Sequence, residues 1–158
     1  MRVLIADDEE RYRDYLRVSL AEHGYEVSTV DTGRVAIDHG VRFRPHVLVT
    51  DWMLHDHIHG LRVSNVLRAV DPSLQAIVIT GFPSTDLQRD TRHSGVYRFI
   101  EKPFELQEMI DAVNGAGATK HSGQIALFGV IEVDSVGRIV NTNCKSREML
   151  ERTNVGPE

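Results

Sequence analysis

The chain has 158 residues, 41% hydrophobic and 26% charged, with a formal net charge of -5; this suits one ordinary globular domain with chain to spare and is too apolar for a disordered polymer. No apolar run approaches the roughly 20 residues of a membrane helix, the start MRVLIADDEE is unlike a secretory signal, and the single cysteine, Cys144, excludes an internal disulfide. A cytoplasmic chain is therefore expected, and the acidic balance argues against direct nucleic-acid binding, which needs many Lys and Arg to neutralise phosphates.

Val3 to Ala6 reads as a buried strand, and Glu9 to His23 as a helix whose Tyr12, Tyr15, Leu16, Val18 and Leu20 recur at helical spacing before Gly24 stops it. Asp7, Asp8, Glu9 and Glu10 sit at this junction, where acids suit either helix capping or a charged site. Glu26 to Val30 reads as the second strand and Arg34 to Gly40 as a short helix ended by glycine. Pro45 opens the third strand, His46 to Thr50, and Leu61 to Val70 is helical until Asp71-Pro72 breaks it. Ala76 to Thr80 forms strand four, Ser84 to Ser94 a helix, Tyr97 to Ile100 strand five, and Glu105 to Asn114 a last helix. Residues 115–123, GAGATKHSG, read as a flexible linker. Residues 124–158 suggest a hairpin, Ile125 to Val133 and Arg138 to Val140, followed by a helix to about Glu151. Such a unit is too small to hold a core alone.

Five strands separated by five helices predict a doubly wound α/β domain, because parallel neighbours require crossover helices that cover both faces of the sheet. Ligands of such sheets bind at the carboxyl ends of the strands. There the sequence places Asp7 and Asp8, Asp51, Thr80 and Lys102. Two carboxylates about 4 Å apart repel by about 4 kcal/mol at an effective dielectric near 20, so clustered acids need a cation. Oxygen ligands select Mg²⁺ or a similar hard ion. Lys102 offers a point charge for an anionic oxygen and Thr80 a hydroxyl donor. Since a carboxylate can itself act as nucleophile in phosphoryl transfer, the expected reaction is phosphorylation of Asp51.

With these motifs in hand, residues 1–114 resemble the receiver domain of bacterial two-component response regulators, which has a flavodoxin-like fold. The resemblance rests on Asp7-Asp8, on Asp51 with the loop WMLHDHIHG, on Thr80-Gly81, and on FIEKPF from Phe99 to Phe104. It implies that Asp51 is the phosphoacceptor and that Asp7, Asp8, Asp51 and the Met53 carbonyl organise Mg²⁺. It further implies that Thr80 and Lys102 contact the phosphoryl group and that Phe99 is an aromatic switch. The phosphoryl donor would be a sensor histidine kinase or a histidine phosphotransfer protein, and slow hydrolysis would reset the switch without making the chain a turnover enzyme. The Lys102-Pro103 bond would be cis. Partners would read the surface formed by the helix at Ser84 to Ser94, strand five and the last helix.

The loop after the phosphoacceptor usually reads like PxMDG, and here it is His55-Asp56-His57-Ile58-His59-Gly60. Gly60 is kept, loop length is expected to match, and the three histidines suggest either a solvated polar loop or a transition-metal site. From about residue 125 the sequence is similar to the opening of a PAS sensory domain, with Asp134, Gly137, Ile139, Asn141 or Asn143, and Leu150 in the matching positions. The alternative for this segment is a hairpin and helix that dock on the receiver or on a second copy of the chain. Two other functions stay open: an unphosphorylated docking or dimerisation module, and a phosphatase of the haloacid dehalogenase type. The latter expects an acid where this chain has Met53.

Overall fold

The computed structural model describes residues 1–81 and 95–118, together with the backbone of 131–133 and 139–142. The described elements are β1 (Arg2–Ala6), α1 (Glu10–Glu22), β2 (Glu26–Val30), α2 (Gly33–Phe43), β3 (Val47–Asp51), α3 (Gly60–Val70), β4 (Gln75–Thr80), β5 (Arg98–Glu101), α4 (Leu106–Ala118), β6 (Ile131–Val133) and β7 (Ile139–Thr142). The helix expected at Ser84 to Ser94 and the one ending near Glu151 lie outside the described residues. β1 to β5 form a single sheet in the order β2-β1-β3-β4-β5 with every neighbour parallel, as expected. β6 and β7 pair antiparallel, as the hairpin reading expects, although β7 runs to Thr142 rather than Val140, and residues 125–130 and the turn at 134–138 lie outside the described residues.

The period of two along each strand divides the core into two layers. Val3, Ile5, Val49, Ile77 and Ile79 pack with Leu16 and Leu20 of α1 and with Met109 and Val113 of α4. Leu4, Ala6, Leu48 and Ala76 pack with Ala36 of α2 and with Val63 and Leu67 of α3. Strands covered on both faces must be apolar at successive positions, hence the continuous runs VLIA and VLV.

Two boundaries differ from expectation. Gly40 does not end α2, which continues to Phe43 and stops at Arg44 with φ 49° in the left-handed region. Gly40 lies where α2 meets α3, and a Cβ there would come 2.6 Å from Leu67 Cδ1, so the glycine permits close packing. Gly24, by contrast, follows α1 at φ 83° and serves as the stop that was expected. At the other end, α4 runs to Ala118 and takes residues 115–118 from the expected linker. Ala116 is buried in the core with Val113, and Gly115 lies against the Tyr97 hydroxyl. Small residues extend this helix because they let it approach its neighbours.

Candidate functional site

The order of strands reverses between β1 and β3, and the carboxyl ends of β1, β3, β4 and β5 surround that point. Alternation decides which side chains share a side. Asp7, Asp51 and Lys102 continue the parity of Ile5, Val49 and Ile100, so they rise on the α1/α4 side of the sheet. Thr80 and Phe99 have the opposite parity, Phe99 pairing in register with Val78 and Thr80 with Glu101. The five residues thus occupy one edge but two faces.

On the first face Lys102 Nζ donates to Asp51 Oδ2 at 2.7 Å and to Asp7 Oδ2 at 2.9 Å. Asp8 completes a cluster in which one carboxylate oxygen from each of Asp7, Asp8 and Asp51 lies within 4.8 Å of the others. Asp7 is fully buried, and the side chains of Asp51 and Lys102 are each 14% exposed. The Tyr12 ring lies 4.3 Å from the ammonium, with Phe104 tilted beside Tyr12 at 6.1 Å. That aromatic wall shields the lysine from water and adds a cation–π contact. Asp7 Oδ1 also accepts the Glu9 N–H at 2.9 Å, so one carboxylate serves both the cluster and the turn into α1. The Met53 N–H donates to Asp51 Oδ1 at 3.0 Å and fixes the carboxylate plane.

Burial pushes the Asp7 carboxyl above its ordinary range, against the downward pull of Lys102 and the Glu9 N–H. Burial pulls Lys102 down, but its bonds to Asp51 and Asp7 outweigh that and leave it raised. The difference follows from sharing: Lys102 collects two anions, whereas Asp7 has half of one lysine and a carboxylate neighbour. An all-oxygen acidic cluster with surplus negative charge is chemically suited to a hard divalent cation.

Thr80 is buried at the end of β4, and its carbonyl accepts the Lys102 N–H at 2.8 Å. This backbone bond holds the lysine's turn, in which Lys102-Pro103 is cis. Phe99 is half-buried on β5, and Met53 is 52% exposed.

The three loop histidines diverge. His55 Nδ1 contacts Asp8 Oδ2, His59 stacks on Trp52 with centroids 5.6 Å apart, and His57 is exposed. Among the described residues the three aspartates are the only metal-competent cluster of its kind, so the transition-metal reading of the histidines has no geometric support. The segment His55 to Gly60 also has six residues against five in PxMDG, which corrects the expected loop length. The longer loop turns at His57, whose φ of 60° is left-handed. Gly60 is required for steric reasons: a Cβ there would lie 2.7 Å from Thr50 Oγ1 and closer still to the Asp51 carbonyl oxygen.

Two participants carry no signal in the sequence. The helical spacing makes Tyr12 an apolar position, and nothing local marks it as a partner of Lys102. Asp56 accepts N–H bonds from Gly33 at 3.1 Å and Arg34 at 2.8 Å, residues 23 and 22 positions earlier. Desolvation pushes its carboxyl up, and the N–H groups of Arg34, Gly33 and Ile58 together hold it below the ordinary range.

Comparison with known proteins agrees with this geometry. Residues 3–114 match the family model described as "Response regulator receiver domain". The chain is similar to the response regulator MprA of Mycobacterium leprae (strain TN), 34% identical over 110 residues that span 70% of this chain and 48% of the relative. It is also similar to the transcriptional regulatory protein PrrA of the same organism, 31% identical over 157 residues, 96% of this chain and 66% of the relative. The chain thus spans about half the length of the MprA relative. Among solved structures, the beryllofluoride-activated NtrC4 receiver domain dimer superposes with a TM-score of 0.67 at 32% identity, covering 73% of this chain and 94% of that one. The receiver domain of the Francisella response regulator 1452 gives a TM-score of 0.67 at 25% identity, covering 73% and 95%.

Proposed function

The chain belongs to the response regulator receiver domain family, and from that premise we propose that it is a two-component switch phosphorylated on Asp51. The observation that carries the proposal is the Lys102 ammonium held between Asp7 and Asp51 at 2.9 and 2.7 Å, beside the Asp8 carboxylate. Asp7, Asp8, Asp51 and the Met53 carbonyl would hold Mg²⁺, which when bound supplies charge neutralisation for phosphoryl oxygens. An Asp51 carboxylate oxygen attacks the phosphorus of a phosphohistidine on a sensor kinase or phosphotransfer protein; the P–N bond breaks and the imidazole nitrogen takes up a proton. Lys102 leaves its pairing with Asp51 to hold an oxygen of the new phosphoryl group. Thr80 donates its hydroxyl to another, and Phe99, on the same sheet face as Thr80, repacks in response. Hydrolysis of the acyl phosphate returns Asp51, so the chemistry is regulatory, without turnover of an external substrate.

The family's output surfaces and a phosphorylation-linked dimer belong to this reading, as does a cytoplasmic setting opposite a kinase. No described helix is long and apolar enough to cross a membrane. Residues 124–158 fit the opening of a PAS-like sensory unit or a docking extension; the antiparallel pairing of β6 with β7 is compatible with either.

The test is incubation of wild type and Asp51→Asn with acetyl phosphate and Mg²⁺, read by intact mass. A single phosphoryl adduct on wild type, absent from Asp51→Asn, is expected. A folded wild-type protein that is never modified, and that does not bind beryllofluoride, would overturn the proposal in favour of a docking module.

A further inference from the structure

The loop after β3 is tied at two adjacent residues to two different parts of the fold. His55 Nδ1 contacts Asp8 of the acidic cluster, while the next residue, Asp56, turns its carboxylate to the first turn of α2. Asp56 Oδ1 accepts from Gly33 and, at 3.4 Å, from Ile58 of its own loop; Oδ2 accepts from Arg34. The remaining first-turn amides of α2 are satisfied locally, Val35 by Thr32 Oγ1 and Ala36 by the Thr32 carbonyl. Of the amides that a helix start leaves without intrahelical partners, those of Gly33, Arg34 and Val35 are therefore bonded by side chains, and two of these three depend on the distant loop. Packing reinforces the tie: a Cβ on Gly33 would lie 2.6 Å from Ile58 Cβ, so helix start and loop touch through backbone and side chain alike. A backbone bond closes the loop around these anchors. The His57 N–H donates to the Leu54 carbonyl at 3.2 Å, and Leu54 is buried against the α2/α3 layer.

We propose that Asp56 is a positioning residue that holds the phosphoacceptor loop against α2 and thereby sets both the Met53 carbonyl and the His55–Asp8 contact for cation binding. A helix cap alone would stabilise α2 without affecting the pocket. Here the cap is supplied by the loop itself, so α2 and the cation site share one restraint. By thermodynamic reciprocity, filling the acidic pocket then protects the first turn of α2. The inference rests on the reading of Asp7, Asp8, Asp51 and Met53 as a cation site. Outer partners that orient metal ligands change affinity by about 10–100-fold when removed, which sets the expected size.

The test is a Mg²⁺ titration of the full chain read by the fluorescence of its single tryptophan, Trp52, one residue after Asp51. Wild type, Asp56→Ala, Asp56→Asn and Thr32→Ala are compared, with amide hydrogen exchange at residues 33–36 measured in parallel. Asp56→Ala is expected to weaken Mg²⁺ at least about 10-fold and to abolish the Mg²⁺-dependent protection of Gly33 and Arg34. Asp56→Asn, which keeps one acceptor oxygen, should fall between, and it stands in if the alanine variant does not fold. Thr32→Ala removes the cap on Val35 but leaves the loop's bonds to Gly33 and Arg34 in place, so it should weaken Mg²⁺ far less than Asp56→Ala does. Wild-type affinity in Asp56→Ala together with faster exchange at Gly33 and Arg34 would reduce Asp56 to a helix cap and overturn the proposal. Absence of any Mg²⁺ response in wild type would instead overturn the cation site on which it rests.

Discussion

Replacing Gly60 by alanine probes whether the Asp51 backbone is held as rigidly as the proposed phosphoacceptor role requires. The added Cβ would lie 2.7 Å from Thr50 Oγ1 and 2.8 Å from Thr50 Cγ2, and closer still to the Asp51 carbonyl oxygen. Carbon and carbonyl oxygen first meet comfortably at roughly 3.3 Å, so relief demands a shift on the order of 1 Å. Neither neighbour yields easily. Thr50 is fully buried with its hydroxyl bonded to the Asp51 carbonyl at 3.0 Å, and the Trp52 N–H is fixed to the Ile79 carbonyl at 2.7 Å. Overpacking of this kind costs about 1–3 kcal/mol, offset in part by roughly 0.5–1 kcal/mol from the lower unfolded-state entropy of alanine. A net loss of about 1–2 kcal/mol should lower the urea midpoint by roughly 1 M. Because misplacing a reacting group by about 1 Å can cost 10²-fold, phosphorylation by acetyl phosphate should slow far more than the stability loss suggests. Gly24→Ala is the contrast: it has open space among the described residues but φ 83°, so it should cost about 1 kcal/mol and leave phosphorylation untouched. A Gly60→Ala protein with the wild-type urea midpoint and phosphorylation rate would refute the reasoning.

Asp7→Asn tests the electrostatics of the cluster. A carboxyl raised in the folded state contributes stability below its unfolded value, near 3.8, and loses it as pH rises through the folded value. In metal-free buffer Asp7→Asn should therefore be more stable than wild type at about pH 7, with the gap closing near pH 3; equal or lower stability at neutral pH would contradict this. Ser64→Ala should raise stability by roughly 0.5–1.5 kcal/mol, because the Ser64 Oγ is buried in α3 with no hydrogen-bond partner among the described residues. Thermal unfolding checks it, and a loss above about 1 kcal/mol would show that the hydroxyl is satisfied in solution.

Apolar runs punctuated by glycine and proline are local signals, and they were enough to place all five strands of the sheet and three of its covering helices to within a few residues. The acids and the lysine at the strand ends were equally legible, since a strand's end and its parity can be counted from its own residues. Features that depend on a distant partner were not. Gly40 resembled a helix stop until Leu67 lay against it, and residues 115–118 resembled a linker until Tyr97 and the core accounted for their small size. Three alternating histidines resembled a metal set, but a left-handed turn at His57 sends them to Asp8, to Trp52 and to solvent. The sequence by itself determined the alternation of strands and helices and the inventory of charged groups at one sheet edge, because both follow from near neighbours in the chain. Only the tertiary structure decided that Asp7, Asp51 and Lys102 share one face while Thr80 and Phe99 share the other, that Tyr12 shields the lysine, and that Asp56 caps a helix 22 residues before it. Those contacts join residues that only the parallel crossovers bring together.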